Sequence, residues 1–415
     1  MIIFVQKAVE TIKEDVIGMI KSAEAKINSA LLIWARNTIA YDIEEAANKI
    51  NIKPETLAKW ESGEIKPTVK QLRKLANVYK RPLAAFYLDK PPKDFDVIKD
   101  YRRISADECI EKSPELLLEI RKAKYKRQLA LQLADEANIS IPSFELSARK
   151  TDNVEKLSEG IRDFWGINLK TQFLWKEKYE ALRNWKNAFE KKGVLILQSS
   201  GIPVNMMRGF SISYNKLPVI VINGTDSPRG RIFTMMHELG HLIIHSEGLC
   251  NDFSYYRKGE SEIIDTEVFC NNLAGNILVP SYALEKENII RDRSQNYEWT
   301  NDDLIQLSNK YNVSNETILR RILLIGKTTV PYYKKKKIEF DKIYKELSEK
   351  KPEGFPPPDK KSIANNGMLL ISLAFDAYYK NKIPVNKLTD YLDVKIKYLN
   401  NIEEYAIKNA ISIGA

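Results

Sequence analysis

Along most of this chain the apolar positions return every three or four residues, the spacing that lines one face of an α-helix. Residues 30–90 form one compact block of short helical patterns, and LDKPPKD closes it, with Pro91 and Pro92 marking a linker. SPELLLEIRKAKYKRQLALQLADEA, within residues 98–150, is a longer helix started by Ser113-Pro114. The spacing continues over 153–190, where Trp165, Trp175 and Trp185 are assigned to a core. At Gly193 the texture changes. GVLILQ, MRGFSISYNK and LPVIVING read as short strands, and Asn223-Gly224 as a turn, so a small sheet precedes the next helix. Two further helices are predicted near 262–279 and 302–325. KKKK at 334–337 reads as a solvated face, PEGFPPPDK (352–360) as a linker, and 362–410 as a small helical tail. No repeat at a fixed period is visible.

A chain of 415 residues suits two to four domains, and 44% hydrophobic with 29% charged residues is the balance of a soluble globular protein. The net charge of +10 permits a polyanionic partner without requiring one. Cys109, Cys250 and Cys270 are odd in number and form no CxxC pair, which points to a reduced, cytoplasmic protein without disulfides. No run approaches the ~20 apolar residues of a membrane span. The opening MIIFVQKAVETIKEDVIGMI is amphipathic and unlike a signal peptide, and Met19 is an alternative start.

The helix after the sheet holds the distinctive chemistry. All three histidines of the chain, His237, His241 and His245, fall within FTMMHELGHLIIH, residues 233–245. His237-Glu238-Leu239-Gly240-His241 fits H-E-x-x-H. On a helix the two histidines stand one turn apart on one face and can share a zinc ion, while Glu238 is turned aside, placed to take a proton from water. Phe233, Met236, Leu239, Leu242 and Ile243 make the rest of the segment a buried helix. Two hydrogen-bonded histidines on a structural helix are the alternative; the glutamate in register favours a metal. His245 lies about 12 Å along the axis from His237, too far for one ion to hold all three histidines, and is assigned to a hydrogen bond near the helix end.

The third ligand is expected on SEIIDTEVFCNNLAGNILVP (261–280), the next helix. Glu267 shares a face with Asn271 and Ala274-Gly275, whereas Asp265 and Glu262 point elsewhere. Glu267 is favoured, with Glu262 as runner-up. The chemistry implied is metal-assisted hydrolysis, with one zinc per chain on His237, His241 and Glu267 and with Glu238 as general base and later proton donor. The strand PVIVIN would offer its edge to an extended peptide. Tyr255, Tyr256 and His245 are unranked candidates for steadying an oxyanion.

DIEEAANKINIKPETLAKWESGEI, residues 42–65, reads as two short helices about a tight turn at Asn51-Ile52. Pro54 opens the second and Gly63 follows its end, which is the arrangement of a helix-turn-helix. Lys53, Thr56 and Lys59 form the face that would enter a major groove of DNA. Residues 30–90 carry eleven Lys/Arg against seven Asp/Glu, a modestly basic balance. A helical protein-interaction domain is the alternative.

The segment IKPETLAKWESGEIKPTVKQLRKLANVYKRPLAAFYL resembles the DNA-binding domain of the Xre/Cro repressors, in the variant fused to ImmA/IrrE-type metallopeptidases. RGFSISYNKLPVIVINGTDSPRGRIFTMMHELGHLIIH and TEVFCNNLAGNILVP are similar to the two core motifs of that peptidase family. The resemblance covers most of 28–326. It implies zinc on His237, His241 and Glu267, catalysis by Glu238, and cleavage of a helix-turn-helix repressor or antitoxin partner, with toxin–antitoxin circuits as a further setting. Phe269-Cys270-Asn271 stands where many members have Glu-Ala-Asn, a departure shared by the fused subgroup. LIQLSNKYNVSNETILRRILLIG (304–326) resembles a second helix-turn-helix-like element and is assigned to packing.

The expected fold is α+β and predominantly helical. It comprises an N-terminal helical extension (1–29), an all-α helix-turn-helix domain (30–92), a helical connector (93–190) and a zincin-like core with a small sheet and the HExxH helix (191–330). A basic, Pro-rich linker (331–361) and a small helical C-terminal domain (362–415) complete it. The expected partners are DNA and the cleaved protein, with no membrane and with a homodimer kept open. The rival reading is a transcriptional regulator whose zincin-like domain senses or braces without proteolysis.

Overall fold

The computed structural model describes residues 23–92, 114–245, 260–349 and 356–409. The expected extension at 1–22, Ser113 and the Pro-rich residues 351–355 lie outside them. Two compact units divide the chain, one up to Ile98 with Ile110–Ile120, the other formed by the remainder.

The first unit is all helix. It holds α1 (Ala30–Asn37), α2 (Ile43–Ile50), α3 (Pro54–Ser62) and α4 (Val69–Val78), followed by a short 3-10 turn. Asp42 and Glu45 form a reciprocal capping box that starts α2, and Thr68 with Gln71 does the same for α4. Asn51 ends α2 in the left-handed region at φ 57°, Pro54 opens α3, and Gly63 at φ 80° ends it. The apolar stripes meet in one core that includes Leu31, Ala46, Ile50, Leu57, Trp60 and Leu72. Arg36 on α1 donates through two nitrogens to the buried Glu61 at the end of α3, at 2.8 and 2.9 Å, a bidentate pair that fixes the angle between those helices. The helix-turn-helix expected from the sequence is present, with its turn at Asn51.

α5 (Pro114–Glu136) belongs to the first unit up to Ile120 and to the second from Arg121; α6 (Val154–Phe164), α7 (Leu169–Leu174) and α8 (Lys178–Lys191) of the second unit then precede the sheet. Trp165, Trp175 and Trp185 are core residues, stacked edge to face around Trp185. The sheet has β1 (Leu195–Ser199), β2 (Gly209–Ile212) and β3 (Val219–Asn223) in the order β1-β3-β2, with β1 parallel and β2 antiparallel to β3. This corrects one expectation. The VIVIN of PVIVIN is the central strand β3, all five of its residues are buried, and both of its edges are paired, so it has none to lend a peptide.

Helix α9 (Pro228–His245) crosses the sheet beside β2, and α10 (Glu260–Leu278) packs along α9. Two single turns, Ser281–Leu284 and Asn288–Arg291, lead to α11 (Asn301–Tyr311) and α12 (Asn315–Leu324). Residues 331–349, expected to be linker, instead form most of α13 (Val330–Glu349). Tyr332 is buried in it, Phe340 packs on the core, and Tyr344 donates to the buried Asp226 at 2.9 Å. The lysine run concealed this, because the aromatic residues that dock the helix are spread among charged ones.

The tail also departs from a separate domain. It consists of α14 (Pro358–Tyr379), α15 (Val385–Tyr391) and α16 (Leu399–Lys408), and it belongs to the second unit. α14 breaks at Gly367, where φ is 72°. The carboxylate of Glu190, from α8, accepts backbone N–H bonds from Met368, Leu369 and Ile196 of β1. A Cβ at 367 would collide with Glu190 and with the Ile196 carbonyl. Leu195 turns inward to β3, donating to the Pro218 carbonyl, so Ile196 faces outward, and α14 closes the outer edge of β1. Burial pushes Glu190 up to about 7, against the nearby Lys186 and those backbone donors.

Candidate functional site

The site begins with two close backbone approaches. A Cβ on Gly240 would lie 2.8 Å from Cys270 Sγ and 3.0 Å from its Cα, so glycine lets α9 and α10 come together there. A Cβ on Gly209 would meet Thr234 and come within 2.8 Å of the Val221 carbonyl, so glycine also lets β2 lie against α9. Three elements thus converge on one turn of helix.

On that turn His237 and His241 are buried with Nε2 atoms 3.1 Å apart. Glu267 on α10 reaches both, with Oε2 3.3 Å from His237 Nε2 and Oε1 3.4 Å from His241 Nε2. In a tetrahedral site with ~2.0–2.1 Å bonds, ligand atoms stand ~3.3–3.4 Å apart. The two imidazole nitrogens, each faced by a different Glu267 oxygen, stand at about such spacings, and the donor set suits a divalent cation.

The surroundings orient the donors. His237 Nδ1 lies 3.0 Å from Asn271 Oδ1; that oxygen only accepts, so Nδ1 carries a proton there, and Nε2 is the nitrogen turned to Glu267. His241 is hydrogen-bonded with the buried Cys270 thiol. Burial pushes Glu267 upward, but hydrogen bonds and attraction from the two imidazoles outweigh it and hold the carboxyl at about 2. Glu238, also buried, accepts a hydrogen bond from Ser211 Oγ of β2 at 3.0 Å.

The far end of α10 is anchored by buried side chains. Arg162 Nη1 donates to the Ile277 carbonyl at 2.6 Å, Gln172 to that of Leu278 at 3.0 Å, and Arg321 to that of Val279 at 2.9 Å. Two guanidiniums at a helix C-terminus satisfy its last carbonyls and oppose its dipole. Burial lowers both to about 10, which leaves them charged at neutral pH. They fix α10 along its axis, and so fix Glu267.

The structure therefore brings together His237, His241, Glu267 and Glu238. Asp265 is exposed and lies outside the cluster. The side chains of Glu262 and His245, and all of Tyr255 and Tyr256, lie outside the described residues. In the first unit Lys53 and Lys59 are exposed on α3, Thr56 is half-buried, and Lys59 pairs with Glu64 at 3.1 Å. Ser211, Cys270, Arg162 and Arg321 were not foreseen as parts of the site. The glycine at 240 was the visible signal for Cys270, the residue its missing Cβ makes room for.

Residues 189–323 match the family model of the IrrE N-terminal-like domain of the M78 peptidases, and residues 32–86 match a helix-turn-helix model. No curated protein and no solved structure matches the chain. The chain fuses an Xre-type helix-turn-helix domain, which suggests DNA binding, to an IrrE-like domain of a typically metal-dependent peptidase family. Among the described residues no helix is long and apolar enough to cross a membrane.

Proposed function

We propose that this protein is a cytoplasmic DNA-binding regulator with zinc-dependent endopeptidase activity, directed at a helix-turn-helix repressor or antitoxin partner. One observation carries the reading. The Nε2 atoms of His237 and His241 stand 3.1 Å apart, a Glu267 oxygen faces each of them at 3.3 and 3.4 Å, and Glu238 stands beside them. Zinc bound there supplies a Lewis acid that polarises a peptide carbonyl and makes water easier to deprotonate.

The remaining work falls to the chain. Glu238 takes the proton from the attacking water and passes it to the leaving amine. Arg208 accepts from Asn223 N–H at 2.8 Å, so the alternation of an antiparallel ladder turns the main chain of Gly209 and Ser211 outward. Among the described residues no strand pairs with that edge. An extended peptide adding there passes over Glu238 with its main chain held by β2. Lys53, Thr56 and Lys59 would carry the DNA contact of the first unit.

The test has two parts. Metal analysis of the purified protein should find about one zinc per chain, lost in Glu267→Ala. Incubation with the helix-turn-helix protein encoded nearest its own gene should yield one cleavage, absent in Glu238→Gln, which keeps its zinc. Cleavage by Glu238→Gln at the parent rate overturns the mechanism. Zinc without any cleavage favours a regulator braced by its metal.

A further inference from the structure

The last three helices repeat the backbone of the first unit. α1 leads to a left-handed residue, Ala40 at φ 53°, and then to α2; α14 leads to Asn381 at φ 55° and then to α15. α2 ends at Asn51, φ 57°, and α15 at Asp393, φ 50°. In each second corner the next residue donates back to the carbonyl five residues earlier. Ile52 N–H reaches Ala47 and Val394 N–H reaches Thr389, both at 3.1 Å. Lys53 and Lys395 then precede the next helix with nearly the same dihedrals, φ −74°, ψ 141° and φ −75°, ψ 148°. A constant offset of 342 residues holds without a gap from Ile43 and Val385 to Ser62 and Glu404.

Burial follows the same register. Ala46 and Leu388, Ile50 and Leu392, Leu57 and Leu399, and Trp60 and Ile402 are buried in pairs. Lys53 and Lys395, Glu55 and Lys397, Ala58 and Asn400, and Lys59 and Asn401 are exposed in pairs. Even the reach-back is kept, since Glu61 bonds Arg36 on α1 and Glu403 bonds Tyr379 on α14.

The corner alone means little, because α11 and α12 share it. There Asn312 has φ 55°, and Val313 N–H donates to the Ser308 carbonyl at 3.1 Å. Its second helix, however, is walled in, with Thr317, Ile318, Leu319, Arg321 and Ile322 buried. That element packs and offers nothing to a groove. The C-terminal second helix, 396–408, keeps an open face. Lys395, Lys397 and Lys408 stand on it with Asn400, Asn401 at its rim donates to Asp359 Oδ2 at 3.0 Å, and Glu404 is the helix's one exposed acid. Asp390, Asp393 and Lys387 mix charge at the turn, much as Glu44, Glu45 and Lys49 do in the first unit.

We propose that residues 368–409 form a second helix-turn-helix whose 396–408 helix binds duplex DNA, with Lys395 and Lys397 on phosphate and Asn400 toward base edges. A helix with cationic residues at its start and amides along its outer face suits the major groove, where asparagine pairs with adenine. The site is distinct from the one in the first unit and from the metal-ligand cluster.

The test uses the full chain and a mixed-sequence DNA duplex of about 25 base pairs, followed by fluorescence anisotropy from ~50 to ~200 mM salt. Lys53→Glu/Lys59→Glu should retain non-specific binding, with a Kd of ~10⁻⁴–10⁻⁶ M. Adding Lys395→Glu/Lys397→Glu should weaken it by about tenfold or more at low salt and reduce the salt slope by about two, one for each phosphate contact. A fourfold variant that binds like its parent overturns the proposal, as does a Lys53→Glu/Lys59→Glu parent with no binding left. Thermal melting checks the fold of each variant. Should charge reversal disturb it, Lys395→Gln/Lys397→Gln takes its place, with weaker binding and the salt slope again reduced by about two expected.

Discussion

Ser211 Oγ donates to Glu238 Oε2 across 3.0 Å, and the main chain of Ser211 faces the open edge of β2. One residue therefore touches both the proposed base and the line along which a peptide would lie. A hydrogen bond to a charged acceptor is worth ~1.5–3 kcal/mol, so Ser211→Ala should slow single-turnover cleavage by roughly ten- to a hundredfold. Zinc content and Tm should stay near the parent values, and Ser211→Thr should restore most of the rate. An unchanged rate in the alanine variant would show that Glu238 is held by other means.

Gly240→Ala tests the approach of the two helices. The new Cβ would press on Cys270, where the nearest atoms are 2.8 to 3.0 Å away, one of them backbone. Overpacking of this kind costs ~1–3 kcal/mol. Tm should fall, and zinc affinity should fall with it because Glu267 retreats with α10. Retention of both would mean that α10 shifts without opening the cluster.

Removing Arg321 should loosen the same helix from its far end. Arg321→Ala leaves the Val279 carbonyl and the Asn276 side chain without their guanidinium. A loss on the order of 3 kcal/mol in urea unfolding is expected, with leucine no better, since the buried carbonyl needs a donor. Near-parent stability would assign the anchoring to Arg162 and Gln172.

Glu190 should give stability a slope in pH. Its folded value of about 7 exceeds the ordinary 4.5, so between those values the folded protein holds a proton that the unfolded chain has released. The contribution of this group to stability therefore declines as pH rises from 4.5 to 7 and levels off above. Glu190→Gln mimics the protonated form and lacks that decline. The variant should match the parent near pH 5 and exceed it near pH 8, by on the order of 2 kcal/mol. A stability difference that does not change with pH would count against the raised value.

The grouping of His237, His241 and Glu267 was legible because its parts are local. His237 and His241 are bound by helical period, and Glu267 by the face it shares with Asn271. Capping residues likewise announced the first helix-turn-helix. What stayed hidden depends on pairings across long separations. Whether PVIVIN is central or at an edge is decided by which strands flank it, and its apolar run suits either. The relation between Ile43–Ser62 and Val385–Glu404 keeps few identities, Lys53 with Lys395 and Leu57 with Leu399 among them, because a corner and a buried stripe tolerate many side chains. Glu190 resembled any helical surface acid until its partners arrived from Ile196 and Met368.

The closure of β1 by α14 has a consequence for biogenesis. The covering helix lies more than 150 residues downstream of the strand it seals. A nascent chain at that stage has a sheet able to grow in either direction, and exposed strand edges invite neighbours. Docking of Met368 onto Glu190 makes the sheet one-sided. Only then, among the described residues, is the edge over Glu238 the one side of the sheet left for a foreign strand to join.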